Sequence, residues 1–339
     1  MLVRPLAALA LVFAVSGVAT AQEVTLRLHE FLPAQSALVS TIIDPWAARI
    51  EAESGGRIKI EQFPSMQLGG KPADLIDQLV DGVVDIVWTL PGYTPGRFPR
   101  TEVFELPFLV NSAEGASRAF WDLAQSDMIA TDFKDMHILG TWVHGPAVIH
   151  ASRPVLLLED MVGLKLRAPS RVTAQLLERL GAVALGMAVP AVPEALAKGV
   201  IDGALMPWEV TNSVHAFELV HNHTEFPERA IYVATFILAM NKDRYEGLPA
   251  DLRAIIDTAS GAEFSAQAGQ RLQAADAPNR AAAMALGNTV TVLSVDEAAR
   301  WQAAAEPLVA QWISEMAAAG IDGSGLLERA QAGLALYGG

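Results

Sequence analysis

The sequence predicts an α/β protein with more than one domain. Over residues 24–88, short apolar segments typical of strands alternate with segments of helical spacing. The order strand, helix, strand, helix, strand is typical of a parallel sheet, because parallel neighbours need a crossover connection. About 318 of the 339 residues remain once an N-terminal leader is removed, which favours two domains. The chain has no cysteine, so its stability must come from its cores and not from disulfides.

The first 21 residues have the pattern of a removable export signal. Arg4 supplies positive charge, residues 6–15 form a short apolar run, and small residues end it at Ala19-Thr20-Ala21. We expect cleavage after Ala21 and a soluble periplasmic protein. The run is too short to cross a bilayer, and an uncleaved anchor is the alternative.

Apolar periodicity places the elements of the first domain. Strands are expected at residues 24–29, 57–63 and 83–88. Helices are expected at 40–53, 73–80 and 113–125, and a β-like segment at 138–150. The Pro- and Gly-rich segment 91–99 is expected to be a loop.

The second half of the chain repeats the alternation and then becomes helical. Strands are expected at 163–167, 183–187 and 231–240, with a helix at 172–180. A helix beginning at Pro249 is predicted to reach about residue 286, kinked at Pro278 and long enough to lie across two domains. Residues 295–336 are expected to form alanine-rich helices. The predicted organisation is 22–150 with about 231–270 in lobe I, 151–230 with about 271–318 in lobe II, and a C-terminal helix at 319–339.

The charge balance excludes some classes of partner. Lys and Arg number 24 against 38 Asp and Glu, a formal net charge of −14. Nucleic acids and anionic membranes are bound by basic surfaces, so neither is expected as a partner.

An arginine ends a short apolar run near the middle of the chain. Residues 163–169 read Gly-Leu-Lys-Leu-Arg-Ala-Pro, so Arg167 lies at the carboxyl end of a predicted strand, where α/β folds place ligand groups. A guanidinium keeps its charge and presents a planar fork of donors that suits a carboxylate. Two interpretations stay open on these residues: Arg167 binds an anionic ligand, or it pairs with an internal Asp or Glu.

Several short motifs follow one another in a characteristic order. They are Gly82-Val83-Val84-Asp85, Phe104-Glu105-Leu106-Pro107-Phe108, Ser152-Arg153-Pro154, residues 160–169, Ala195-Leu196 and residues 199–203. In this order, behind an export signal, the chain resembles the periplasmic solute-binding proteins of tripartite ATP-independent periplasmic (TRAP) transporters, of the C4-dicarboxylate-binding type.

The resemblance implies a periplasmic-binding-protein fold, with two α/β lobes hinged about a central cleft and a long bridging helix. It implies a receptor that closes on a small organic acid and delivers it to the small and large membrane subunits of a TRAP permease. A monomer is expected, although the sequence leaves the oligomeric state open. The family's signature arginine, which pairs with the ligand carboxylate, falls on Arg167, and a second arginine falls on Arg153. The segment from Trp88 to Tyr93 and the segment after Gly203 are implied to line the site.

The chain departs from the family pattern at polar positions. Ala191 stands where many members have a glutamate, and Met206 replaces the asparagine that precedes a proline in sialic-acid binders. Their glutamate after the third strand falls near Thr89 or Leu90. Fewer polar partners remain for a hydroxylated ligand, so a compact apolar or aromatic carboxylate is expected. The groups available instead are Trp88, Tyr93, Trp142, Trp208 and Glu209.

The other predicted ligand contacts are Arg153, His144, Gln35, Ser170, Met187 and Met206. Arg153 also suits a role in supporting the hinge, and His144 that of a structural hydrogen-bond donor. Ser170 also suits a helix cap. The tryptophans are equally compatible with the core.

No cofactor or metal is expected. His221-Asn222-His223 puts two imidazoles on one face of a strand, but third and fourth ligands are not evident. Gly69-Gly70-Lys71 lacks the rest of a phosphate loop, and no nucleophile elbow is present. The predicted function is a binding protein and not an enzyme. The alternatives are a receptor for an ATP-driven importer or sensor, and an exported enzyme acting on a carboxylate.

Overall fold

A computed structural model describes residues 23–339. The predicted export signal and its cleavage site lie outside the described residues. No helix among those described has the length and apolar character needed to cross a membrane.

The strands alternate with helices through most of the chain. The strands are β1 (Val24–His29), β2 (Ile58–Phe63), β3 (Ile86–Thr89), β4 (Met136–Val143), β5 (Ala147–Ala151), β6 (Lys165–Ala168), β7 (Val183–Gly186), β8 (Gly203–Pro207), β9 (Asn222–Glu225), β10 (Thr235–Asn241) and β11 (Thr289–Val292). The α-helices are α1 (Asp44–Glu53), α2 (Leu75–Val80), α3 (Ala113–Leu123), α4 (Arg171–Arg179), α5 (Val192–Ala197), α6 (Trp208–Thr211), α7 (Ala216–Leu219), α8 (Lys242–Glu246), α9 (Ala250–Ala259), α10 (Ala262–Ala285), α11 (Val295–Ala305), α12 (Pro307–Ala318) and α13 (Gly323–Tyr337). Short 3₁₀ segments include Pro91–Tyr93, Pro99–Glu105 and Val189–Ala191.

The strands form two separate sheets, and the predicted two-lobed α/β fold is confirmed. The first sheet has the order β2-β1-β3-β10-β4, with β10 antiparallel to both of its neighbours. The second has the order β11-β9-β5-β8-β6-β7, with β5 antiparallel to β8 and β9. Each sheet therefore combines a parallel part, built through helical crossovers, with an antiparallel return of the chain.

The sequence predicts one β-like element over residues 138–150, but the structure has two strands there, in different sheets. β4 ends at Val143 in the first sheet and β5 begins at Ala147 in the second. Gly145 and Pro146 separate them; proline supplies no N–H to a ladder and glycine weakens a strand, so the pairing stops there. The chain passes between the lobes at this point and again between β9 and β10.

The long helix predicted from Pro249 is divided in two. α9 ends at Ala259 and α10 begins at Ala262, because Gly261 adopts φ +91°, a conformation outside the helical region. The N–H of Gly261 instead donates to the carbonyl of Leu139, 2.7 Å away. Pro278 lies inside α10.

Helix α10 touches both lobes. Near its start, Gly269 lies so close to α3 that a Cβ there would be 2.4 Å from the carbonyl oxygen of Ala113. Further along, the Asp276 carboxylate accepts a 2.9 Å hydrogen bond from the backbone N–H of Glu209 on α6. Helix α10 therefore packs against α3 of the first lobe and is hydrogen-bonded to α6, which lines the cleft from the second lobe.

Candidate functional site

A cavity lies between the two lobes. Phe31, Leu38, Leu90, Tyr93 and Phe236 line it from the first lobe. Arg167, Pro169, Val189, Met206, Pro207, Glu209 and Val210 line it from the second, and His144, Tyr232 and Ala234 come from the connecting segments. Apolar and aromatic side chains dominate this lining, and a few polar groups converge within it, as in ligand sites generally.

Arg167 lies on β6 with 2 % of its surface exposed. Its Nε donates to the carbonyl of Met187 at 3.0 Å and its Nη1 to the carbonyl of Leu205 at 3.2 Å. Its Nη2 donates to the Tyr93 hydroxyl at 3.4 Å. These neutral oxygens hold the guanidinium in place, but among residues 23–339 no carboxylate forms an ion pair with it. A buried charge without a counter-charge is costly, so the site favours an anion.

Tyr93 reaches from the first lobe to the second. Its hydroxyl accepts a hydrogen bond from the backbone N–H of Val189 at 3.1 Å as well as the one from Arg167. Burial raises the pKa of Tyr93, so the hydroxyl stays neutral. The side chain therefore ties the loop after β3 to the loop after β7.

His144 lines the cavity, but the backbone occupies both of its ring nitrogens. Nδ1 donates to the carbonyl of Gly145 at 2.5 Å, and Nε2 accepts from the N–H of Ala234 at 2.9 Å. Burial lowers the pKa of His144 to about 4, so the ring is neutral at pH 7. The imidazole presents ring carbons to the cavity and pins the connection between the lobes.

Glu209 follows β8 and is one of the residues that line the cavity. Its side chain is 4 % exposed, and its Oε2 has no hydrogen-bond partner among the described residues. Burial, and secondarily the charge of Asp276, raise its pKa to about 8. Glu209 is therefore protonated at neutral pH.

The predicted tryptophans do not line the cavity. Trp88 is fully buried, donates its Nε1 proton to Glu30 and packs on Phe31 with ring centroids 4.4 Å apart. Trp142 stacks on Phe236 at 5.7 Å. Trp208 donates to Glu225 at 2.8 Å and packs with Phe217 away from the cavity. Trp88 and Trp142 thus support rings that do line the site.

Of the remaining predicted contacts, Met206 lines the cavity, whereas Arg153, Gln35, Ser170 and Met187 lie outside it. Arg153 is exposed and donates to the carbonyl of Asp160 at 2.8 Å, and Gln35 is also exposed. Ser170 caps α4 by accepting from the N–H of Thr173 at 3.3 Å. Ser170 and Met187 line the open groove that leads to the cavity and shares Tyr93 and Pro169 with it.

Sequence reasoning missed several residues that line the cavity. They include Phe31, Leu32, Leu38, Val189, Tyr232, Ala234 and Phe236. Phe31 had a usable signal, because it closely follows the carboxyl end of β1, where ligands of α/β folds bind. Tyr232 had no sequence signal, because the buried connection 230–234 is as apolar as the strand that follows it and was predicted as part of that strand.

The lobes meet tightly across the groove. Gly92 lies against Ser170, where a Cβ on Gly92 would be 2.6 Å from the Ser170 Cβ. Arg171 on α4 pairs with Glu102 of the first lobe and with Glu315. The structure is therefore the closed arrangement of the two lobes.

Known structures of solute-binding proteins share this architecture. A TRAP solute-binding protein from Rhodoferax ferrireducens, in complex with copurified benzoate, is 47 % identical, with a TM-score of 0.91 over 93 % of this chain and 98 % of that one. A marine metagenome TRAP solute-binding protein specific for aromatic acid ligands, in complex with 3-hydroxybenzoate, is 41 % identical, with a TM-score of 0.91 over 94 % and 99 %. A third, from Bordetella bronchiseptica with bound (R)- and (S)-mandelate, is 27 % identical, with a TM-score of 0.85 over 92 % and 99 %.

The family assignment rests on the sequence as well as on the fold. The sequence model of the DctP family matches residues 29–315, which include the second sheet, all of the first sheet after β1, and the whole cavity lining. The chain belongs to bacterial extracellular solute-binding protein family 7.

Proposed function

We propose that this protein is a periplasmic receptor for an aromatic monocarboxylate, which it delivers to a TRAP permease by closing its cleft. The observation that carries the proposal is Arg167, a buried guanidinium without a carboxylate partner in the described chain, inside a cavity lined by apolar and aromatic side chains. The ligand's carboxylate pairs with Arg167, and its ring packs against Phe31 and Phe236.

The energetics need both parts of the cavity. A charge-assisted hydrogen bond contributes about 1.5–3 kcal/mol, whereas micromolar binding needs about 8 kcal/mol. The balance comes from apolar burial, at about 25 cal/mol per Å². Hydroxylated sugar acids gain less binding free energy here, because the polar atoms of His144 and Tyr232 are already hydrogen-bonded to the backbone.

The comparisons support the aromatic class. The relatives at 47 % and 41 % identity are in complex with benzoate and 3-hydroxybenzoate. Delivery to the permease subunits, a monomeric state and cleavage after Ala21 belong to the same proposal.

Thermal-shift measurements on the mature protein test the proposal. Benzoate, 3-hydroxybenzoate and mandelate should each raise the melting temperature. At a ligand concentration of a hundred times Kd, binding adds about 2.7 kcal/mol to the free energy of unfolding. Succinate and N-acetylneuraminate serve as the dicarboxylate and sugar-acid controls. Larger stabilisation by either control, or none by any aromatic acid, would overturn it. Mass spectrometry should recover the bound acid unchanged, whereas release of a product would indicate an enzyme.

A further inference from the structure

One polar group in the cavity is left over after Arg167 takes a carboxylate. The polar side chains of the lining are Tyr93, His144, Arg167, Glu209 and Tyr232. Tyr93 is engaged by Val189 and Arg167, His144 by two backbone groups, and the Tyr232 hydroxyl donates to the Leu205 carbonyl at 3.3 Å. Only the Glu209 carboxyl has a buried atom in this lining, Oε2, without a partner among residues 23–339.

We propose that Glu209 is a specificity residue whose carboxyl group hydrogen-bonds a hydroxyl substituent on the ring of the bound aromatic acid. The inference rests on the proposed function and narrows its ligand to hydroxylated aromatic monocarboxylates. Arg167 and Glu209 line the same cavity, so a guest held by its carboxylate at Arg167 brings its ring close to Glu209.

The surroundings of Glu209 set its protonation state. Its own backbone N–H donates to Asp276 Oδ1 at 2.9 Å, which holds a second carboxyl group close to it. Burial first, and then the charge of Asp276, raise the pKa of Glu209 to about 8. A neutral carboxyl group both donates through its O–H and accepts through its carbonyl oxygen, whereas a carboxylate only accepts and repels an anionic guest.

A hydroxyl group is the substituent that this neutral partner suits. It donates one hydrogen bond and accepts others, so it can satisfy Glu209 in either direction without bringing a charge into an apolar cavity. A second carboxylate on the guest would add an unpaired charge there, since the described lining offers no cation besides Arg167. Unsubstituted benzoate would leave Oε2 buried without a partner, which costs affinity.

Calorimetric titration of three proteins with four ligands tests the assignment. Wild type, Glu209→Gln and Glu209→Met are each titrated with benzoate and with 2-, 3- and 4-hydroxybenzoate. In wild type, at least one hydroxy isomer should bind roughly three- to tenfold more tightly than benzoate. Glu209→Gln keeps a donor and an acceptor and should keep that preference. Glu209→Met should lose the preference and bind benzoate more tightly than wild type does, because no polar group is then left unpartnered.

Controls separate the possible failures. Glu218→Gln changes an exposed carboxyl group on α7 and should reproduce the wild-type ligand order. Circular dichroism shows whether each variant is folded. If wild type binds benzoate but prefers no hydroxy isomer, or if Glu209→Met keeps the preference, the role of Glu209 is wrong while the receptor function stands. If wild type binds no aromatic acid, both proposals are wrong.

Discussion

The hydroxyl of Tyr93, in the first lobe, lies 3.1 Å from the backbone nitrogen of Val189, in the second. The same oxygen accepts from Arg167 at 3.4 Å. One atom thus links the proposed carboxylate-binding group to the contact that holds the lobes together. We therefore expect engagement of Arg167 by a ligand and closure of the cleft to be coupled through this oxygen.

Removing that oxygen should weaken ligand binding. In Tyr93→Phe, the Val189 N–H and one Arg167 N–H lose their acceptor in the closed form, at a cost of about 1–3 kcal/mol, or roughly five- to 150-fold in Kd for benzoate. Isothermal titration calorimetry measures the change. Tyr245→Phe, which removes a hydroxyl bonded to Asp257 far from the cleft, is the matched control. Equal affinity in the Tyr93 and Tyr245 variants would contradict the coupling.

Gly92→Ala should hold the cleft open. A Cβ at residue 92 would be 2.6 Å from the Ser170 Cβ and 3.4 Å from its Cα, closer than packed atoms tolerate. The open form has no such clash, so thermal stability without ligand should stay close to that of wild type. Small-angle X-ray scattering with saturating benzoate should show compaction in wild type and little in Gly92→Ala. Gly186→Ala, whose Cβ meets nothing within 4 Å, should compact normally.

Arg167→Lys should bind aromatic acids poorly even though it keeps the positive charge. A lysine ammonium cannot form two parallel hydrogen bonds to a carboxylate, and the carbonyls of Met187 and Leu205 lose a planar partner. We expect at least about a tenfold loss of affinity, and no measurable binding for Arg167→Ala. Arg153→Ala should bind as wild type does, because Arg153 is exposed outside the cavity. Wild-type affinity in either Arg167 variant would refute the role of this residue.

Stability should fall as the pH rises from about 6.5 to 8.5. Burial raises the pKa of Glu209 to about 8 and those of Glu30 and Glu105 to about 7, from a usual value near 4.5. The folded protein therefore binds more protons than the unfolded chain over this range, and its stability is lost as the pH passes through the folded pKa values. His144, whose pKa is lowered to about 4, acts in the opposite direction but only below its unfolded value of 6.5.

The melting temperature, measured at fixed ionic strength, checks this dependence. Glu209→Gln removes the group with the highest of these pKa values, so its melting temperature should fall less steeply between pH 7 and 8.5. A steeper fall, or a rise in wild type over this range, would contradict the assigned protonation states.

The fold was predictable because its signals are local. The alternation in β1, where Val24, Leu26 and Leu28 are buried, and the apolar run of β6 can be read without knowing what they pack against. The break between β4 and β5 was not predicted, because the residues on both sides of it are apolar and resemble one continuous strand. Gly145 and Pro146 are the sequence signal that indicates the break. β8 was missed because five residues between two turns carry too little periodicity.

The site was predictable only in part. Arg167 stands out because a charge at the end of an apolar strand needs an explanation, and it lines the cavity. Trp208 was predicted to contact the ligand because it follows the turn after Gly203. In the structure its neighbour Glu209 lines the cavity, whereas Trp208 packs with Phe217. Phe31, just after β1, and Phe236, in β10, are far apart in sequence, so only the folded first lobe brings both into the cavity lining.

The first sheet holds β10 between β3 and β4, so one of its interior strands comes from residues 235–241, long after its neighbours in the sequence. A nascent polypeptide cannot finish this half of the molecule until most of its length has been made. Because β10 follows the strands β5–β9 of the second sheet in the sequence, no single truncation point yields an intact lobe. Circular permutation is therefore a better way than truncation to separate the two lobes.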